Sequence, residues 1–523
     1  MVAAVLSSSA QKRTIDHPVT KAVLDAYSQI LKEDPKDYET YFHRAGQYYA
    51  HDEYILALAD VDEALKYVPV SDKDLRFQLM ELRANIYLQT GKPQLALADL
   101  TEALALDPTS YATIYLKANT DYQLGNYPEA KAGYQRMIGL VPRSADAYLG
   151  LARVAVEESN IGLANDYLEQ SVAINPNNVD AYLRRAAVRR AMGNDNGAVD
   201  DLLLAMSIDS TNPKAVDALV SYADTNYPAV VTGLTSAISQ APKNALYWYL
   251  RAQIAQAHGH YVPAIADYRK IIDDQLYNYR GIYASIAECQ YYMGDYAAAL
   301  DNLDYALASI HDNASYYVLR SRILRALKRP DEAAEAAAKV GYIDHNSIEG
   351  HLMMAQCYAD KGDYKTASEV LGEASMIVPD NPLMNITRAY ILQNKLNQPV
   401  AANNFLQQVI ASESFADDNV KSLRGFAMLA AGDKTGAMAW IDNILSGNKD
   451  HDGLANYYGA CLYSAMGDYD KALQCAEASL KLGYANYYNW MFNEDEPINV
   501  RPLRDDLRFL NLMSRYSGLF ERE

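Results

Sequence analysis

The sequence predicts an all-α protein, an array of about thirteen stacked helical hairpins, and three observations predict it. First, a small residue returns in near-constant time: Ala57, Ala96, Ala130, Ala164, Ala198, Val230, Ala264, Ala299, Ala333, Ala367, Ala401, Ala437 and Ala472, every step after the first falling between 32 and 36 residues. Second, twelve residues before most of these stands another: Ala45, Ala84, Ala118, Ala152, Ala186, Ala252, Ala287, Ser321, Ala355, Ala389, Gly425 and Ala460. Third, a turn signal separates the two, as in Gly125-Asn126-Tyr127, Gly259-His260-Tyr261, Gly294-Asp295-Tyr296, Gly362-Asp363-Tyr364 and Gly467-Asp468-Tyr469. A fixed interval in the 20–50 range is the mark of a stacked repeat architecture.

Each beat has a physical reason. Glycine ends a helix at positive φ without a Cβ penalty, and Asp or Asn then starts the next helix. Small residues let the two helices of a hairpin approach closely. An aromatic four residues ahead of the first small one (Tyr41, Tyr148, Tyr182, Trp248, Tyr283, Tyr317) fills the gap they leave. Pro69, Pro108, Pro142, Pro176, Pro242 and Pro379 close many units, because a residue without an N–H stops a helix. One hairpin cannot bury its own apolar face, so neighbours must stack.

Taken in order, residues 1–17 begin apolar and reach small residues at Ser8 and Ala10, a truncated signal-peptide remnant or a disordered tail. A genuine signal implies a periplasmic or otherwise exported protein, and its absence a cytoplasmic one. Residues 18–37 form an N-terminal capping helix. An N-terminal repeat section follows over 38–212. Residues 213–244 are a short irregular repeat or hinge, where "ADTNYPAV" replaces the usual Gly turn. The C-terminal repeat section runs over 245–486; its unit at 382–415 lacks the Gly turn, and "SGNKDHDG" (446–453) loosens the joint before the last repeat. Residues 487–523 are a capping tail, with Leu503, Leu507, Phe509 and Leu510 covering the open end of the last repeat.

The aromatic at position 4, small residue at 8, Gly-Asp-Tyr at 15–17, Ala at 20 and Pro near 32 resemble the tetratricopeptide repeat family, of bacterial type, over about 38–486. The resemblance implies a right-handed superhelical α-solenoid whose inner surface is lined by the first helices of the hairpins and binds a protein or peptide. The match to the carboxylate clamp of chaperone-binding members is partial: Glu81, Asp146 and Gly150 stand where its cations belong. That assignment is therefore set aside.

Composition narrows the function classes. The balance of 47 Lys+Arg against 66 Asp+Glu leaves −19, which argues against a nucleic-acid surface. No stretch approaches the roughly 20 apolar residues of a membrane span. Cys289, Cys357, Cys461 and Cys475 form no C-x-x-C pair and read as small buried hydrophobes; only Cys461 and Cys475 merit testing as a disulfide in an oxidising compartment. Zinc-helix, nucleophile-elbow and dinucleotide motifs are missing, and "GDKTG" (432–436) lacks phosphate-loop spacing. His258 and His260 read as an exposed turn, and Asp200-Asp201, Asp273-Asp274 and Asp505-Asp506 as solvated or capping acids. Most of the 43 tyrosines fall at core positions, their hydroxyls reaching the edge of a thin solenoid. The expectation is a protein that is no enzyme and takes no cofactor or metal.

The resemblance places positions 2, 5, 9 and 12 of each first helix on the concave side. Position 9 reads Asn85, Asn119, Arg153 in successive units, a ladder suited to an extended peptide backbone. Arg153, with Arg184 and Arg190, forms a cationic stop for a carboxylate, and Tyr115 and Tyr122 add flat contact area. Arg322 and Arg325 near Tyr291 and Glu288 are a second, lesser set. The expected function is a non-enzymatic adaptor or scaffold holding an extended segment of a partner. A structural tether or self-assembling scaffold using outer faces or tail is the alternative, and a carbohydrate-processing accessory or enzyme a third.

Overall fold

The computed structural model describes residues 18–210, 212–412, 418–447, 450, 452–495 and 497–519. Residues 1–17, with the signal reading made on them, lie outside that range, as does part of 446–453. Every regular element among the described residues is helical, and none is long and apolar enough to cross a membrane. The chain divides into two compact units, Met1–Gly233 and Leu234–Glu523.

In the first unit, α1 (Pro18–Glu33) packs on α2 (Tyr38–Ala50), which pairs with α3 (Tyr54–Tyr67). Then come α4 (Lys73–Gln89) with α5 (Pro93–Leu106), and α6 (Tyr111–Gln123) with α7 (Tyr127–Leu140). Two more hairpins follow, α8 (Ala145–Glu157) with α9 (Ile161–Ile174) and α10 (Val179–Ala191) with α11 (Asp195–Ile208). First helices of consecutive hairpins touch, α2 with α4 and α6 with α8, so these helices line the inside of the stack. Helix α12 (Pro213–Gln240) is broken at Asn226, whose φ of −148° and ψ of 67° are not helical, ahead of Pro228. The boundary between the units falls within α12.

The second unit holds seven hairpins. They are α13 (Ala245–Ala257) with α14 (Tyr261–Asp273), α15 (Gly281–Tyr292) with α16 (Tyr296–Leu307), and α17 (Ala314–Ala326) with α18 (Pro330–Ile343). Next are α19 (Ile348–Asp360) with α20 (Tyr364–Ile377) and α21 (Pro382–Asn394) with α22 (Pro399–Ala411). Last are α23 (Asp418–Ala430) with α24 (Lys434–Ser446) and α25 (Leu454–Met466) with α26 (Tyr469–Lys481), before the short α27 (Tyr487–Met491) and α28 (Leu507–Arg515).

The recurring small residue is the fourth residue of each second helix, and it is buried there. One unit departs from the predicted row: Ala402, rather than Ala401, is the buried one. The turn from Lys395 to Gln398 is a residue longer than its counterparts, which shifts the helix register by one. Turn glycines such as Gly125, Gly294 and Gly362 sit at φ of 79°. Where glycine is missing, Asp52, Ser159, Lys328 and Asn397 adopt the left-handed conformation instead, with φ of 51–66°. Asp363, Asp433 and Asp468 cap the helices they precede, whereas Asn126 and Asp295 make no such side-chain bond.

The C-terminal tail corrects the expectation twice. Leu503 and Phe509 are fully buried as predicted, but Leu507 is 73% and Leu510 40% exposed. Helix α28 begins at Leu507 and turns Phe509, Leu512 and Met513 inward at i, i+3, i+4 spacing, leaving 507 and 510 on the other side. The tail also does more than cover the last hairpin. Its α27 packs on α15, Tyr488 lies against Tyr291 and Tyr296, and one hydrophobic cluster joins α13–α15, α21–α26 and the tail, with fully buried Trp490 among its members. Seen alone, the second unit is closed on itself by its own C-terminal segment.

Candidate partner-binding grooves

In the first unit, equal spacing on touching helices brings Asn119 of α6 and Arg153 of α8 together. Asn119 Oδ1 accepts from Tyr134 Oη at 2.8 Å and from Arg153 Nη1 at 3.0 Å. The Arg153 guanidinium lies 4.0 Å from the centroid of the Tyr122 ring, and Tyr122 Oη donates to Glu157 Oε1 at 2.8 Å. Tyr127 packs tilted beside Tyr122 at 5.7 Å. Tyr134 comes from the core, where burial pushes its hydroxyl up to about 12 and keeps it a donor at neutral pH. Gly150 makes room for it: a Cβ there would stand 2.3 Å from the Tyr134 ring. Burial, then the bond to Glu157, also raises the Tyr122 hydroxyl. Arg153 is thus held by an amide and a ring, with no carboxylate partner among the described residues.

The other named residues do not join this cluster. Asn85 gives its amide to the Glu81 carbonyl one turn back on α4, at 2.8 Å. Tyr115 is exposed. Arg184 pairs with Asp180 on its own helix at 2.8 Å, and Arg190 lies 4.8 Å over Tyr222 while donating to Thr225 Oγ1 at 3.3 Å. A cationic stop of three arginines is therefore not assembled; Arg153 stands alone, because local partners four residues back or on α12 claim the other two.

Sequence reasoning missed a different ladder. Arg44, Arg83, Arg185 and Arg251 on first helices each grip an aspartate sixteen residues on, Asp60, Asp99, Asp201 and Asp267, through Nε and Nη2 at 2.6–2.9 Å. These aspartates are buried. Asp201, read as solvated, is fully enclosed and meets Arg189 as well, at 3.1 Å. The repeated Arg-to-Asp spacing of sixteen was the available signal. Such bidentate pairs tie the two helices of a hairpin together.

In the second unit, Arg325 is enclosed by three partners. Its Nε donates to Asp360 at 2.8 Å, Nη1 to Gln356 at 2.8 Å and Nη2 to Asp495 of the tail at 2.6 Å. Burial opposes its charge, but the two carboxylates outweigh burial and hold its pKa above the ordinary arginine value. Arg322 pairs with Glu349. Glu288 accepts from Gln256 Nε2 at 2.8 Å, and burial raises its carboxyl. The turn His258–His260 is not simply exposed: Gly259 is buried against the backbone of Gly483. No cluster of three metal-ligating side chains occurs among the described residues. All four cysteines are buried and free, Cys461 and Cys475 included.

Three stretches of the chain, residues 87–153, 287–343 and 460–482, match models of the tetratricopeptide repeat. A stretch of 130 residues, 25% of this chain, is 26% identical to Tetratricopeptide repeat protein 7B of Homo sapiens and spans only 15% of that protein. Among solved structures, MamA protein is similar over 34% of this chain and 94% of its own, at 20% identity and a TM-score of 0.30. YrrB, described as a TPR protein with an unusual peptide-binding site, is similar over 37% and 98%, at 19% identity and 0.31. The APC/C hetero-tetramer Cut9-Hcn1 covers 96% and 98%, at 16% identity and 0.29.

Proposed function

We propose that the chain, three stretches of which match models of the tetratricopeptide repeat, is a non-enzymatic adaptor of that family that holds an extended segment of a partner protein along the inner face of its first unit. The observation that carries the reading is Arg153. It is half-buried, oriented by Asn119 and stacked on Tyr122, whose hydroxyl holds Glu157, and it makes no ion pair of its own among the described residues, although the chain carries nineteen more acids than bases. A cation fixed in advance loses little side-chain freedom when a carboxylate arrives, and a flat ring beside it supplies contact area. Asn119 and Tyr122 then act as positioning residues, and exposed Tyr115 on the same helix extends the surface.

The test is affinity capture from a lysate of the source organism with the full chain and its Arg153→Ala and Tyr122→Ala variants. A discrete partner should be recovered by the parent and reduced about tenfold or more by either variant, with helical circular dichroism unchanged. Equal recovery by all three proteins removes this face from the reading.

A further inference from the structure

Arg388 of α21 stands where the forked arginines stand, one residue before the buried small residue of a first helix. In those hairpins the arginine finds acceptors on two sides. The second helix of its own hairpin presents an aspartate three residues after its small residue, as Asp60 follows Ala57 and Asp267 follows Ala264. The helix before it presents another group. Ser28 Oγ accepts from Arg44 Nη1 at 3.0 Å, Asp62 Oδ1 from Arg83 Nη1 at 2.9 Å and Thr235 Oγ1 from Arg251 Nη1 at 2.8 Å. Arg320 uses this second side too, giving Nε to Asp304 at 2.8 Å.

Around Arg388 both acceptors are gone. Three residues after buried Ala402 comes Phe405, whose ring centroid lies 4.5 Å from the guanidinium carbon. On the other side α20 brings Gly372 to the place that Asp304 holds beside Arg320. A Cβ there would stand 2.9 Å from Nη2 and 3.5 Å from Nη1, so the guanidinium reaches α20 and meets no side chain. Its Nε is enclosed without a hydrogen-bond partner. Burial lowers its pKa, and no carboxylate opposes that. One hairpin on, Arg424 has Trp440 in the aspartate's place, 4.6 Å away, but gives an N–H to the Ile410 carbonyl. A ring attracts the charge of Arg388 without accepting from its N–H groups as a carboxylate does, and a half-buried cation left without a counter-charge is costly. We propose that Arg388 binds a phosphate-type oxyanion, inorganic phosphate or a small phosphate monoester, whose oxygens take the Nη groups in the stead of the missing side chains. Guanidinium and phosphate match bidentately. The site lies between α20 and α22, second helices of consecutive hairpins, and so is separate from the inner face; a small free anion needs no trough for a chain. It uses no residue of the first unit and stands whether or not the Arg153 face binds.

Isothermal titration of the full chain at fixed ionic strength tests this, with inorganic phosphate, glycerol 3-phosphate and acetate as probes. The variants are Arg388→Gln, which removes the cation, and Gly372→Asp, which supplies an internal carboxylate as Asp304 does for Arg320. The parent should bind phosphate saturably and more tightly than acetate, and each variant should lose about tenfold or more in affinity. Arg153→Ala should bind phosphate like the parent. Gly372→Asp keeps Arg388 and crowds only the end of its side chain, so it decides the matter even if Arg388→Gln folds poorly; helical circular dichroism verifies both. Tighter binding of glycerol 3-phosphate than of phosphate names an ester as the source, and the reverse names the free anion. No saturable phosphate binding, parent-like affinity in both variants, or acetate bound as tightly as phosphate would each overturn the proposal.

Discussion

Glu288 is half-buried beside Gln256, which also receives the Tyr268 hydroxyl at 2.9 Å. Burial, the largest influence, raises its carboxyl pKa above the unfolded value, and the Gln256 bond and the charge of Arg322 only partly oppose it. The folded state therefore favours the proton. Stability should fall as pH rises from the unfolded pKa of about 4.3 through the folded value, and the loss is complete above both. Glu288→Gln keeps an acceptor for Gln256 and removes the charge. It should raise the thermal midpoint at pH 7, with the gain shrinking below about pH 4; melting at both pH values checks it, and no gain at pH 7 would contradict the burial argument. Residue identity at this scale was readable only in part. The spacing of Asn119 and Arg153 pointed to their meeting, but Tyr134 joined them because Gly150 lacks a side chain, and Arg184 and Arg190 found nearer partners.

At the scale of the helix pair, small residues set the distance and the Arg–Asp forks set the pairing. Arg185 and Asp201 show it most clearly, both being buried and bonded at 2.9 and 2.6 Å. Removing Asp201 leaves buried Arg185 without its carboxylate, so Asp201→Ala should destabilise by about 3–5 kcal/mol, and Arg185→Ala should cost less because Arg189 still reaches Asp201. The double change Arg185→Met with Asp201→Leu should lose markedly less, since no charge is stranded. Urea unfolding of the three variants makes the comparison. The hairpins themselves were legible because a period near 34 and the turn glycines are local features of the chain. The shift from Ala401 to Ala402 was not, because one extra turn residue moves the register without disturbing the hydrophobic pattern nearby. The φ values at Asp52, Ser159, Lys328 and Asn397 make the same point: the turn geometry persists where its usual residue does not.

At the scale of the molecule, the second unit depends on its tail. Trp490 is fully buried, packed edge-on to Tyr457 at 5.0 Å and near Phe509 at 6.2 Å, and its Nε1 donates to the Tyr484 carbonyl at 3.0 Å. Trp490→Ala should destabilise by about 3–5 kcal/mol, read as a lowered denaturation midpoint and reduced near-ultraviolet circular dichroism. A tail that merely shielded the last hairpin would give a much smaller effect. The sequence was sufficient for the repeat class and the succession of helical hairpins, because these follow from short-range periodicity and from turns a few residues long. Tertiary structure decided which cations meet a carboxylate among the described residues. Arg325 meets Asp495 across 170 residues of chain, and no local spacing encodes a contact made only when the tail folds back among helices that formed independently of it.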